Sequence, residues 1–340
     1  MKLETSISDC TVDCTVDSNS ANSAKSADSN NSATSAKSAS GMLVDTENPI
    51  HARIHIDGAD AYDDTWNDNP DQVEKLLSRE LYKLSLEERN KFQDEVHGVS
   101  CIAPEETPEL LRTSLEQMEN ELDHVVPHDQ KRAYLQTKTQ ANLQNSYVHQ
   151  DDFKLRFLRC ELFNVPKAAV RMCLFLDLLL DLFGTYALER PIKLSDFTKK
   201  ELCEFRKGKF QLLLDRDRGG AGTGRRIICH FLDKEWSEIP PKVRHKIALY
   251  QTWVFGNDVD TQRKGHVFVA WFDSNRENSW KPAFATRISQ LPSVRISGLH
   301  LCTPDTPHYR IRRSLVVMKS GKYRANLRIH IGTYNMHNTT

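Results

Sequence analysis

The residues of this chain best placed to do chemistry lie between Tyr309 and Ser320. Ile311, Leu315 and Met318 recur there at i, i+4 and i+7, the spacing of one helix face. Arg310, Arg312, Arg313 and Lys319 stand around the rest of the circumference. An apolar stripe flanked by four cations suits non-covalent chemistry: it can cover a hydrophobic ligand and also meet an anionic surface. The same pattern also fits an ordinary surface helix packed on a sheet. Other constellations promise less. Gly219-Gly220-Ala221-Gly222-Thr223-Gly224-Arg225-Arg226 has the outline of a phosphate-binding loop. That chemistry requires a lysine for the terminal phosphates, a hydroxyl for the metal and a following helix. Here both key positions are arginine and a strand-like run follows, so a flexible hairpin loop is expected. Asp177 and Asp181, four apart on a helix, share a face. Amid Leu, Phe and Met they read as a solvated or Arg-paired outer face rather than an acid–base pair.

No Ser or Cys sits in a nucleophile elbow, and the thirteen histidines do not cluster in the sequence. His245, His266, His300 and His330 fall in helix or strand patterns and read as core or edge residues. The eight cysteines contain no C-x-x-C pair and no zinc spacing. They are expected to be mostly buried thiols of a reducing compartment. The sequence carries no enzyme signature, and neither metal nor cofactor is expected.

The elements that must position the basic helix are legible on both sides of it. Val294 to Leu301 alternates as a half-buried strand, the run 303–307 breaks it, and Leu327 to Ile331 returns as a strand. Upstream, Ser85-Leu86-Glu87-Glu88 has capping-box form, and Thr107-Pro108 opens a helix with Pro in its first turn. Leu111, Leu115, Met118, Leu122 and Val125 make its apolar stripe. Asp151–Leu162 and Pro166–Phe183 form a helical hairpin ended by Gly184. Ser195-Asp196 is expected to cap a short helix to about Phe205. Phe210–Asp215 and Arg225–Phe231 read as strands, Pro241–Val254 as a helix, His266–Phe272 as a buried strand, and Pro282–Leu291 as a short helix. Phe268, Trp271, Phe272, Leu299, Leu301, Phe284 and Ile288 suit either a core or a cavity wall. Phe268 and Phe272 should point one way and Trp271 the other.

Asp152-Phe153-Lys154-Leu155-Arg156-Phe157-Leu158-Arg159-Cys160, followed by Phe163-Asn164-Val165-Pro166-Lys167-Ala168-Ala169, resembles the N-terminal helical signature of the CRAL-TRIO lipid-binding family. That family includes yeast-type phosphatidylinositol-transfer and tocopherol-transfer proteins. Pro292–Arg295 through Leu301–Pro304 is similar to its strand ending in an N-A-P-like turn. Tyr309–Val316 is similar to its gate helix, and Arg328–Gly332 to the strand after it. The resemblance covers about residues 150–332.

The resemblance implies an α/β class: an N-terminal all-α region, then an α/β domain whose helix-covered mixed sheet forms a lipid cavity. Phe268, Phe272, Leu299, Leu301, Tyr309, Ile311, Leu315 and Met318 would contact the lipid. Arg310, Arg312, Arg313 and Lys319 would meet the headgroup or membrane, with Arg313 matching by position a lysine that the family's phosphatidylinositol carriers use. Carrying a two-chain lipid through water exposes around thirty methylenes, on the order of 20 kcal/mol, which a closed cavity would remove. The family's acidic partner residue has no obvious equivalent in 274–291. Its closing helix has no counterpart before Thr340, which implies a truncation or a different closure.

Composition bounds the rest. The 340 residues are 39% hydrophobic with a formal net charge of zero, enough for one or two cores. The charge is unevenly spread: 1–150 hold 13 Lys/Arg against 27 Asp/Glu, 151–205 hold 9 of each, and 206–340 hold 24 against 10. A basic C-terminal part suits an anionic membrane, and no RNA-module or zinc-finger pattern favours nucleic acid. No signal-peptide pattern is seen, and the apolar run 172–183 is too short and charged to span a bilayer. The reading is a cytoplasmic, transiently membrane-associated protein. Its expected parts are a disordered Ser/Asn/Ala-rich tail (1–49), an acidic helical region (50–148) that could bind a protein partner, a helical region (149–205) and the lipid-binding domain (206–340). A non-transferring, membrane-recruited adaptor is the competing function.

Overall fold

The computed structural model describes residues 75, 78–79, 82–217, 224–273, 293–310, 313, 317 and 325–332. The tail, the loop 218–223, the helix expected over Pro282–Leu291, and Ile311, Arg312, Leu315, Met318 and Lys319 lie outside the described residues. By its contacts the chain divides after Asn67, and the described residues belong to the second unit.

Local signals place the helices. α1 (Leu86–Val96) begins on Ser85, whose side chain accepts from the Glu88 amide while the Glu88 carboxylate accepts from the Ser85 amide. α2 (Pro108–Asn120) is capped by Thr107 with Pro in the first turn. Its stripe does not continue as the 3.6 period requires. Residues Glu121–Val125 form a π-helical turn, which adds a residue to the turn and rotates the face. Val125 is consequently 57% exposed and Val126 takes the buried position. The buried Lys131 ammonium holds this turn by donating to the carbonyls of Leu122 (2.6 Å) and Asp123 (3.1 Å).

After α3 (Arg132–Thr139) come α4 (Asp151–Cys160) and α5 (Val165–Phe183). Asn164 caps α5, and Gly184, with φ of 90°, ends it. Asp177 and Asp181 face α3: Asp181 pairs with the Arg132 guanidinium at 2.6 Å, and Asp177 accepts from the Ala133 amide at 2.7 Å. The Arg-paired reading of these two acids holds. α6 (Tyr186–Glu189) follows, then α7 (Lys199–Arg206). The cap of α7 is Thr198, in a capping box with Glu201, and not Ser195-Asp196, which belong to a separate 3-10 turn.

Strands β1 (Phe210–Arg216), β2 (Arg226–Leu232), β3 (His266–Phe272), β4 (Ile296–Pro304) and β5 (Leu327–Gly332) form a mixed five-stranded sheet in the order 1-2-3-4-5. The β1–β2 pair is antiparallel and the other three are parallel. Parallel neighbours need a crossover. Between β2 and β3 it is made by α8 (Lys234–Glu238), α9 (Pro241–Phe255) and α10 (Val259–Lys264). Gly265 ends α10 at φ +74°, where a Cβ would lie 2.6 Å from the Arg295 carbonyl. Only glycine fits that approach.

Helices and sheet share one hydrophobic core running from Met118 to Leu327. Phe153, Phe157 and Phe175 of α4 and α5 pack edge-on near Trp253 of α9. Arg156 joins the layers: its guanidinium lies 4.1 Å from the Trp253 ring centroid and donates to Gly256 O, Trp253 O and Asn257 Oδ1. α1 is fixed at the start of the strands by three arginines. Arg225 donates to the carbonyls of Glu95 and Val96, Arg328 to Gln93 Oε1, and Arg295 to the buried Glu95 carboxylate at 2.5 Å.

Candidate ligand-binding face

Strand alternation and register sort the sheet residues into two faces. Phe268 pairs with Ile228 on one side and Leu299 on the other, and Ala270 pairs with His230 and Leu301. Phe268, Phe272, Leu299 and Leu301 therefore share a face, with Leu327 opposite Leu299 and Ile329 opposite Leu301. Trp271 pairs with Phe231 and Cys302 and belongs to the other face, as the alternation predicts.

The first face is tightly covered. Phe268, Phe272 and Leu301 are buried and Leu299 is half-buried. His230 sits on this face between the rings of Phe210 and Phe268, at 4.9 and 4.7 Å, with Nε2 3.2 Å from Gln251 Oε1 of α9. Burial pushes its pKa down to about 4, so the ring is neutral near pH 7. His266, beside Phe255 of α9, is likewise buried and pushed down to about 3. Both act as core residues.

The segment after β4 is helical over 307–310 and again at 313 and 317. Tyr309 is buried, its ring 5.8 Å from that of Phe272 and its hydroxyl donating to the Asp273 carbonyl at 2.8 Å. Five of the eight residues expected to contact lipid (Phe268, Phe272, Leu299, Leu301 and Tyr309) are thus described, and they gather on this face. The other three lie outside the described residues.

The cations separate. Arg310 is exposed and grips Asp305 through two bonds of 3.0 and 3.1 Å. Arg313, expected to meet a headgroup or membrane, is turned inward and buried. Its Nε donates to Thr303 Oγ1 at 3.0 Å and its Nη2 to the Pro304 carbonyl at 2.8 Å. Burial pushes this guanidinium below its ordinary range, against the favourable pull of Asp305. Its charge is used to fasten the helix to the C-terminal end of β4, because buried carbonyls there need a donor.

A cleft of about 380 Å³ lies elsewhere, at the start of β4, and Phe92, Leu162, Arg171 and Arg295 are among its walls. None of the five described residues expected to contact lipid lines it. Arg171 and Arg295 in its walls are paired with Glu161 and Glu95.

The sequence reading missed one association of chemical groups. His300 and His330, on adjacent strands of the second face, lie with Nδ1 and Nε2 2.8 Å apart and rings nearly parallel. Alternation alone puts each on a face. The β4–β5 register, which pairs His300 with Arg328 and Cys302 with His330, brings them together.

No protein-family model matches this chain, and no curated protein resembles it significantly. What the fold defines is a mixed α/β sheet layered with helices. Among the described residues no helix is long and apolar enough to cross a membrane.

Proposed function

We propose that this chain is a CRAL-TRIO-like lipid-binding protein. It would enclose an apolar ligand between the first sheet face and the helix after β4, exchange it at an anionic membrane, and do no covalent chemistry. The observation that carries the reading is the convergence of Phe268, Phe272, Leu299, Leu301 and Tyr309 on one face beneath that helix. The antiparallel entry strand followed by four parallel-paired strands is in keeping with it. Opening such a face to an acyl chain requires the helix to move, and the exposed Arg310 would then be its cation toward the anionic leaflet.

A second reading draws on the close packing of the same residues: Phe268 and Phe272 are 4% exposed and Tyr309 2%. On that reading the face is a permanent core, and the protein is a membrane-recruited adaptor whose acidic helical region binds a protein partner.

Native mass spectrometry with lipid extraction on the purified full chain separates the two. A stoichiometric apolar ligand supports the first reading. Leu299→Trp, which fills the half-buried position, should then reduce ligand loading. A chain that is empty, and stays empty after incubation with mixed vesicles, overturns lipid carriage.

A further inference from the structure

Two neighbouring imidazoles on the second face have a geometry that the apolar-ligand reading leaves unused. His300 of β4 and His330 of β5 occupy diagonal positions on adjacent, directly paired strands. Diagonal neighbours are within reach of each other when both side chains are rings. The ring centroids are 5.0 Å apart with planes 8° from parallel, and Nδ1 of His300 lies 2.8 Å from Nε2 of His330. Two nitrogens this close hold one proton between them: one ring donates its N–H and the other accepts with its lone pair.

We infer that His300 and His330 form a two-imidazole chelating site for a borderline divalent transition-metal ion, of the Zn²⁺ or Cu²⁺ class. Imidazole nitrogen suits these ions. A tetrahedral ion with metal–nitrogen bonds near 2.1 Å needs its two nitrogens about 3.4 Å apart. The nitrogens therefore have to open by about 0.6 Å, and the two lone pairs, which face each other along the hydrogen bond, have to turn by roughly 35° each toward the ion, which takes rotation at χ1 as well as χ2 of both side chains. The backbones that carry both rings are fixed by the β4–β5 ladder, so the donors are held on rigid elements. His330 is exposed and His300 half-buried, which leaves a path for the ion and for water ligands.

The surrounding cations set a limit. Arg225 is neutralised by Asp217 at 2.6 Å, and Arg328 is bonded to the carbonyls of Ala325 and Leu327 and to Gln93. Both still oppose a second positive charge. Among the described residues no group of three His, Cys, Asp or Glu could hold an ion, so water completes the shell and affinity falls below that of a three-donor protein site.

The test uses the full chain, titrated with Zn²⁺ against a chromophoric chelator and with Cu²⁺ followed by electron paramagnetic resonance. Wild type should bind one tightest equivalent, with two nitrogen donors in the Cu²⁺ spectrum. His330→Gln and His300→Gln should each weaken that site by about tenfold or more and leave a single nitrogen donor. His330 is exposed, so its variant should keep the wild-type circular dichroism and unfolding midpoint even if the His300 variant is less stable. Binding that persists undiminished in the double variant would belong to other histidines, such as His51 and His55, and would overturn the site. Fewer than two nitrogens in the wild-type spectrum would do the same.

Discussion

Arg313 offers the sharpest separation between a cation that faces a membrane and one that holds the fold. Its guanidinium makes two well-formed hydrogen bonds, to Thr303 Oγ1 and the Pro304 carbonyl, and a longer contact of 3.4 Å to Asp305. Hydrogen bonds to a charged group contribute about 1.5–3 kcal/mol each, and a buried acceptor left unmatched adds to the loss. Asp305 is exposed and keeps its bonds to Arg310, so the third contact adds little. Arg313→Ala should therefore destabilise the protein by about 3–6 kcal/mol. For a domain of this size that lowers the unfolding midpoint by roughly 6–24 °C. Arg313→Lys is the decisive companion. Toward a membrane, lysine serves as well as arginine, since each contributes its charge. Toward Thr303 and Pro304, a single ammonium cannot reproduce the planar fork. Lysine should thus recover only a small part of the lost stability. Thermal unfolding and cosedimentation with anionic vesicles are measured on the same preparations. The argument fails if Arg313→Ala leaves the midpoint unchanged while abolishing vesicle binding, and Arg313→Lys restores that binding. The exposed Arg310 is the control: Arg310→Glu should weaken cosedimentation without moving the midpoint.

Three further outcomes follow from particular contacts. Glu95 is 1% exposed and bound to the buried Arg295, so Glu95→Ala strands a charge and should cost about 3–5 kcal/mol. Adding Arg295→Met should recover much of that in a denaturant titration, whereas strictly additive losses would show that the pair is not coupled. His266 and His230 are held neutral in the fold, at about 3 and about 4, against an ordinary value near 6.5. The unfolded chain therefore binds more protons below pH 6.5. Stability from these rings is full above that pH and is lost as pH falls toward 4, at about 1.4 kcal/mol per pH unit for each. His266→Phe should flatten this acid limb by one proton; an unchanged slope would mean that His266 is not buried neutral. Gly265→Ala meets both a left-handed φ and the Arg295 carbonyl and should lose about 2 kcal/mol or more. Gly208→Ala has φ +72° but its nearest neighbour is 3.6 Å away, so it should lose about 1 kcal/mol. Equal losses would show that the close approach at Gly265 carries no energy.

Much of the secondary structure follows from the sequence alone, because it depends on groups a few residues apart. Ser85 with Glu88, Thr107 with Pro108, and Gly184 after Phe183 each fix a helix end through bonds or dihedral freedom within one turn. His266–Phe272 is a strand in the sequence and in the fold with the same limits, since its unbroken apolar run has nowhere to go but a buried sheet. The sharing of one face by Phe268 and Phe272 is equally local, being a matter of period two. Only the tertiary structure decided the rest. The π-helical turn that exchanges Val125 for Val126 depends on the ammonium of Lys131 reaching back to two carbonyls. Arg313 has the same side chain as Arg310, three residues earlier. One is exposed and pairs with Asp305, and the other reaches the end of β4, where Thr303 and Pro304 accept its hydrogen bonds. His300 and His330 are thirty residues apart, and nothing near either announces the other. Their meeting is fixed by a strand register, a property of how two distant segments share backbone hydrogen bonds.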